Sequence, residues 1–202
     1  MDDVDTTFST HTKNPFAVFA PQPVGVTFEN QERGERIVLL LRAHLITLVP
    51  SAVTIIFLVF APIILSVILA LIRIDVSTFL GSRQIFLVIV FWYLSVFGYA
   101  FYKFIFWYFN VYILTNERVV DIDFRGILHK ETSYAKLSQI QDVSPKIIGF
   151  FSTFFHYGNV FIQTAAERPE FEFHNVARPD KVAREILEQV RLEEAEAPGE
   201  IA

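Results

Sequence analysis

Two stretches of the chain carry no charge. Leu45 to Leu71 reads LITLVPSAVTIIFLVFAPIILSVILAL, and Ile85 to Tyr102 is likewise uncharged before Lys103 and a closing FIFWYF. A helix rises about 1.5 Å per residue. The hydrocarbon core of a bilayer is about 30 Å thick, so roughly 20 apolar residues cross it. The pattern therefore predicts transmembrane helices over about 45–71 and 85–108. Pro50 and Pro62 are expected to kink or loosen the first, as bilayer helices tolerate. Trp107 and Tyr108 suit the headgroup level, with Lys103 snorkelling outward. The short loop from Arg73 to Gln84, with Gly81 as a breaker, makes the pair a hairpin.

From Asn110 the period changes to two. In RVVDIDFRG, Val120, Ile122 and Phe124 share one face and Val119, Asp121 and Asp123 the other, which predicts a strand with one wet face. TNER (Thr115 to Arg118) reads as a tight turn after FNVYIL. HKETSYAK is a polar third strand and LSQIQDVS an irregular, bulged fourth. NVFIQTAA places Val160 and Ile162 on one face. FEFHNV turns Phe171 and Phe173 inward and Glu172 and His174 outward. Pro179 suits a first helical position and Asp180 a helix N-terminus. Val182, Ile186 and Val190 then predict an amphipathic helix to about Ala195, ended by Pro198 and Gly199.

Ahead of the first apolar stretch, residues 1–30 contain Pro15, Pro21 and Pro23 and no sustained period, and are expected to form a disordered tail. ENQERGERIVLLLRAHL, with Arg42 and His44 at its end, predicts a juxtamembrane helix or the wet start of the first span. The acidic MDDVDTTFST carries neither the basic segment nor the apolar core of a secretory signal, so no cleaved signal is expected.

Composition sharpens this picture. Of 202 residues, 52% are hydrophobic and 15% aromatic, while the 19% that are charged fall below the roughly 25% of soluble domains. The formal net charge of -5 opposes a nucleic-acid-binding role. Cysteine is absent, which excludes disulfides and thiolate metal sites. Basic residues Arg33, Arg36, Arg42, Lys103, Arg118 and Arg125 flank the spans on the side of the termini, against Arg73 and Arg83 in the loop. The positive-inside rule then puts both termini in the cytoplasm of a multi-pass protein of the inner or plasma membrane.

YILTNERVV (Tyr112 to Val120), GIL (Gly126 to Leu128), LSQIQDVS (Leu137 to Ser144) and YGNVFIQTA (Tyr157 to Ala165) resemble the YdbS-like bacterial pleckstrin-homology (PH) domain family. The resemblance covers about residues 105 to 192, and such proteins often carry paired membrane helices ahead of the domain. It implies a seven-stranded, strongly bent sheet capped by a helix. It implies no catalytic activity and supplies no ligand residues.

The expected fold is thus a membrane protein in which a two-helix transmembrane hairpin precedes a mainly-β PH-like barrel or sandwich with a C-terminal capping α-helix. The boundaries are a tail over 1–30, a juxtamembrane helix and spans over 31–108, the PH-like domain over 109–195 and a second tail over 196–202. A short junction after the second span would hold the domain at the membrane surface rather than on a tether.

No catalytic, cofactor-binding or metal-binding residues are predicted. His11, His44, His129, His156 and His174 show no zinc-like spacing, and no nucleophile elbow or phosphate-cradling loop occurs. Asp121, Asp123, Glu170 and Glu172 read as a solvated sheet face. From Asn116 to Glu196, ten basic residues stand against fourteen acidic ones, which opposes phosphoinositide recognition.

The one candidate surface is KIIGFFSTFFHYG, with Ile147, Ile148, Phe150, Phe151, Phe154 and Phe155. The preferred reading is a short helix or wide turn packed into the domain core or onto the hairpin. The other is an apolar contact surface for lipid or a protein partner. The expected function is a non-catalytic, membrane-anchored PH-like interaction or scaffolding module on the cytoplasmic face. Its partners would be the bilayer and a protein segment, or a second copy. The alternative is a subunit of a small oligomeric transport or channel assembly. The spans offer such a pore only Thr47, Ser51, Thr54, Ser66 and Ser95 as polar lining.

Overall fold

The computed structural model describes residues 14, 16–23, 25–75, 78–126, 129–165 and 170–196. The chain divides into two units, one of Met1–His44 with Tyr108–Ala202, the other Leu45–Trp107.

The second unit is the apolar hairpin. A 3-10 turn (Leu45–Leu48) leads into α1 (Val49–Leu71), and α2 spans Ser82–Phe109, three residues earlier in its start than the charge-free run suggests. Both are long and apolar enough to cross a membrane. The helices are joined by side chains of α2: the Trp92 indole N–H donates to the Leu58 carbonyl (2.9 Å) and the Tyr93 hydroxyl to that of Val59 (3.2 Å). Pro50 falls in the first turn of α1, where no carbonyl is orphaned by its missing N–H, and only Pro62 lies inside the helix, which runs on through it. The hydroxyls of Thr54, Ser66 and Ser95 return to carbonyls of their own helix. Trp107 is buried rather than displayed, and Lys103 sits over the Tyr99 ring at 5.6 Å.

The first unit is mainly β and closed by a C-terminal helix, as expected. Its strands are β1 (Phe19–Pro21), β2 (Ile37–Arg42), β3 (Val111–Thr115), β4 (Arg118–Gly126), β5 (His129–Lys136), β6 (Ile140–Lys146), β7 (Tyr157–Thr164) and β8 (Glu170–Ala177). Its helices are the short α3 (Phe150–Phe155) and α4 (Pro179–Glu196). Eight described strands, not seven, form two antiparallel sheets, β1-β2-β3-β4-β5 and β6-β7-β8. The main core lies between them and α4. Leu39, Leu41, Leu114 and Val119 from the first sheet meet Val143, Val160, Ile162, Phe171 and Phe173 from the second, and Val182, Ile186 and Val190 from the helix.

The strand order corrects the expected domain boundaries. ERIVLLLR is not a juxtamembrane helix but β2, which pairs with β3 in the register Leu40↔Ile113 and Arg42↔Val111. The PH-like unit therefore does not begin at 109: two of its strands precede the hairpin. The physical reason is burial on both faces. Leu39 and Leu41 enter the main core, while Ile37 and Leu40 join Ala20, Ile113 and Val120 in a second cluster behind the sheet. A strand covered on both faces loses its alternation and reads as a plain apolar run.

The same cluster corrects the expected disordered tail. Residues 1–13 lie outside the described residues, but Phe19–Pro21 pairs with β2 and buries Ala20. Pro21 is compatible with an edge strand because its missing N–H leaves no ladder bond unmade there. For β4, the predicted wet face is dry at its start, since Val119 and Val120 are both fully buried on opposite sides of the sheet. LSQIQDVS divides into a 3-10 turn (Leu137–Gln139) and β6, with a register shift between Ile140 and Asp142 where the bulge is expected. The helix stop expected at Pro198 and Gly199 lies outside the described residues.

The handover from helix to strand takes one residue. Asn110 follows α2, accepts the Phe124 backbone N–H (2.8 Å) and donates to Asp123 Oδ1 (3.0 Å), so β3 starts against β4 at once. Arg42 secures the other side. Its Nε donates to the Tyr108 carbonyl (3.0 Å), its Nη1 to that of Ala17 (3.1 Å), and its guanidinium lies 4.8 Å from the Tyr108 ring centre.

Candidate functional site

The Phe-rich segment leaves β6 and returns into β7, and its shape follows from two glycines. A Cβ at Gly158 would stand 2.5 Å from the Lys146 carbonyl oxygen, so only glycine lets β7 start this close to the end of β6. Gly149 has φ +102°, a conformation that L side chains rarely adopt, and it swings the chain from Ile147 and Ile148 into α3. His156 ends the helix in the left-handed region, with φ 51°.

The preferred expectation packs this segment into the domain core or onto the hairpin; its core half is corrected by the exposure of the rings. Phe150 is 78% exposed, Phe151 64% and Phe154 66%. Ile148 and Phe155 are exposed too, and Ile147 is half-buried against Gly158. The rings pack on one another instead: Phe150 meets Phe151 edge-on at 5.7 Å and Phe154 stacked at 6.3 Å, and Phe154 meets Phe155 edge-on at 5.0 Å. Six residues make under two helical turns, too few to bury such a face without a partner layer.

Beside the C-terminal end of α3 opens a cleft of about 910 Å³ lined by Phe155, His156, Arg178, Lys181 and Arg184, with Asp180 as an acidic neighbour and His44 at its wall. Arg178 donates its backbone N–H to the His156 carbonyl (2.8 Å), which ties the start of α4 to the end of α3. His44 stacks on Tyr157 at 5.4 Å and donates its backbone N–H to the Asn175 carbonyl (2.7 Å). Burial holds the His44 imidazole below its usual pKa.

The remaining histidines do not gather. His129 and His174 are exposed, His174 with its Nδ1 3.3 Å from Glu172, and His11 lies outside the described residues. Among the described residues no three His, Asp or Glu side chains converge as a metal-holding group. Asp121 and Asp123 are half-buried on β4, with Asp123 bonded to Asn110, and Glu172 accepts from Asn159 (2.7 Å).

Sequence reasoning missed the principal polar constellation of the unit. Arg118 holds the Glu35 carboxylate in a fork, Nε to Oε1 and Nη2 to Oε2, both at 2.9 Å. Thr115 Oγ1 lies 2.9 Å from Glu35 Oε1 and accepts the Arg118 backbone N–H, and the Glu32 amide donates to Oε2. The Glu35 side chain is wholly buried. Its burial would raise its pKa, but the Arg118 guanidinium, the Glu32 amide and Thr115 together hold it below the usual carboxylate value. The Thr-Asn-Glu-Arg turn is thus a clamp for an acid 83 residues upstream, a distance over which local spacing carries no signal.

The model of the bacterial PH domain family matches residues 38–190. The chain belongs to the bacterial PH domain family. The matched range starts inside β2, takes in both apolar helices and ends in α4, so it includes the strand that the resemblance to residues 105–192 left out. Among solved structures, the chain is similar to a DUF1696 family protein with a pleckstrin-homology domain from Shewanella loihica PV-4. The identity is 18% over 41% of this chain and 68% of that one, with a TM-score of 0.29. No curated protein matches the chain. In this bacterial PH unit the aromatic helix α3 and the basic cleft beside it lie next to each other on the surface.

Proposed function

We propose that this chain is a membrane-anchored PH interaction module of the YdbS-like kind, held on the cytoplasmic face by its apolar hairpin and acting by binding rather than catalysis. The observation that carries the reading is the insertion of the hairpin between β2 and β3. His44 runs directly into Leu45, and Asn110 alone separates α2 from β3. A unit attached to the hairpin through two adjacent strands is tethered at both ends of the anchor, which suits a module that acts at the membrane. Arg33 and Arg36, exposed before β2, together with Lys103 keep the basic bias on the side of the termini. Arg118 contributes less to that bias than its sequence position suggests, because Glu35 neutralises it.

The chain has no native cysteine, so single cysteines report topology cleanly. Thr78→Cys is expected to react with an impermeant maleimide in intact cells, and Ser138→Cys only after permeabilisation. The reverse pattern would place the PH unit outside and sink the cytoplasmic assignment. Equal labelling after extraction of the chain by alkaline carbonate would sink the anchoring itself.

A further inference from the structure

We infer that α3 and the basic residues beside it form a docking surface for the anionic face of the bilayer that the chain's own hairpin enters. The inference rests on the anchored reading above and adds what the exposed phenylalanines contact.

Three observations meet at one end of the PH unit. The first is the aromatic face, with Phe150, Phe151 and Phe154 exposed and stacked mainly on one another. The second is its place. Tyr157, two residues after Phe155, stacks on His44, the last residue of the unit before the chain turns into the apolar Leu45–Leu71 segment. The bridge from Ala43 to Val176, itself paired with Gly158, fixes the same neighbourhood. The other exit is held there too, because Arg42, one residue before Ala43, grips the Tyr108 carbonyl. The aromatic helix therefore sits where the chain leaves the unit for the hairpin.

The third observation is charge. Arg178, Lys181 and Arg184 line the cleft next to Phe155 with Asp180 as the acid among them, and Lys146 is exposed where β6 leads into the segment. An apolar wedge with a basic rim is the chemistry of interfacial binding: rings enter the boundary of headgroup and acyl chain while cations meet the lipid phosphates. The same rim disfavours a second copy as the occupant. A two-fold contact through α3 would bring two sets of Arg178, Lys181 and Arg184 towards each other.

The test uses the full chain in lipid nanodiscs with one nitroxide at Thr153→Cys, an exposed position of α3, and a second preparation labelled at Leu65→Cys in α1. Collision with oxygen reports lipid, and collision with a nickel chelate reports water. In discs containing phosphatidylglycerol, both labels are expected to favour oxygen. The Thr153 label should shift to water in Phe151→Asp/Phe154→Asp. Its docked fraction should fall roughly fivefold, relative to the undocked fraction, for each of Arg178→Gln and Lys181→Gln. Discs of phosphatidylcholine alone should show the same loss. A Thr153 label in water beside a Leu65 label in lipid would overturn the inference and leave the anchoring intact. A Leu65 label in water would overturn both. A Thr153 label shielded from both reagents, with dipolar coupling between copies, would show that a second copy covers the face and overturn the lipid assignment. Equal docking in both disc types would overturn the role given to the basic rim.

Discussion

Two short segments of this chain are built around phenylalanine, and they have opposite fates. In β8, Phe171 and Phe173 are 6% and 0% exposed; in α3, Phe150, Phe151 and Phe154 are all above 60%. The side chains are the same, so composition does not separate them. What separates them is a covering layer. Phe173 stacks on Tyr112 of β3 at 4.4 Å and joins Val160, Ile162 and Ile186 in a core closed by two sheets and α4. No other layer of the described PH unit closes over α3, and its rings meet one another. An apolar segment is core only if the topology supplies an opposing surface.

The sharpest way to break this comparison is to truncate one ring of each kind. Phe173→Ala should remove about 3 to 5 kcal/mol of stability, the transfer term plus the cavity left in a closed core. Pulse proteolysis of the full chain in nanodiscs, across a urea series, would read it. A loss under 1 kcal/mol would mean that the core around Tyr112 and Val160 is not closed as described.

Next in size is the clamp between β2 and the β3–β4 turn. Arg118→Met keeps an aliphatic stem over Tyr134 but leaves the Glu35 carboxylate buried without its guanidinium, and should cost about 3 kcal/mol. The pH dependence follows from the direction of the shift. Glu35 is held below its unfolded value, so its stabilisation is complete above the ordinary carboxylate range and is lost as the pH falls through the folded value. In Arg118→Met the burial contribution dominates, so the carboxyl is raised and acidification to about pH 5 should stabilise the variant relative to neutral pH. Unchanged pH profiles in the two proteins would show that Glu35 and Arg118 are not coupled.

The smallest effect is expected at the other phenylalanine. Phe151→Ala should change the stability of the PH unit by no more than about 0.5 kcal/mol, the range of an exposed substitution. A loss near that of Phe173→Ala would return α3 to the core and remove the basis for its contact with lipid.

How much of this was legible without coordinates depended on period and range. α4 and β8 were readable because Val182, Ile186 and Val190, or Phe171 and Phe173, repeat at the spacing of an element with one buried face. β2 was not, because Leu39 and Leu40 are buried on opposite faces and leave an aliphatic run indistinguishable from the start of a membrane helix. β1 has only three residues, too few for any period, and is held by the register of Ala20 with Leu40. The pairing of Arg42 with Val111 and the clamp of Glu35 by Arg118 both bridge the hairpin, and no local window contains both partners. In α3 the clustering of phenylalanine marks a candidate surface, but exposure depends on what the rest of the described fold leaves uncovered.

β2 and β3 close one PH unit, and the apolar hairpin is an insertion between them. Replacing Leu45–Trp107 with a short Gly-Ser turn that joins His44 to Tyr108 tests it directly, by amide NMR of the shortened chain without detergent. The expected result is a dispersed spectrum with cross-strand contacts between Leu40 and Ile113 and slowly exchanging amides at Leu41 and Leu114. A collapsed spectrum, or a folded Asn110–Glu196 core with residues 37–42 unstructured, would contradict it.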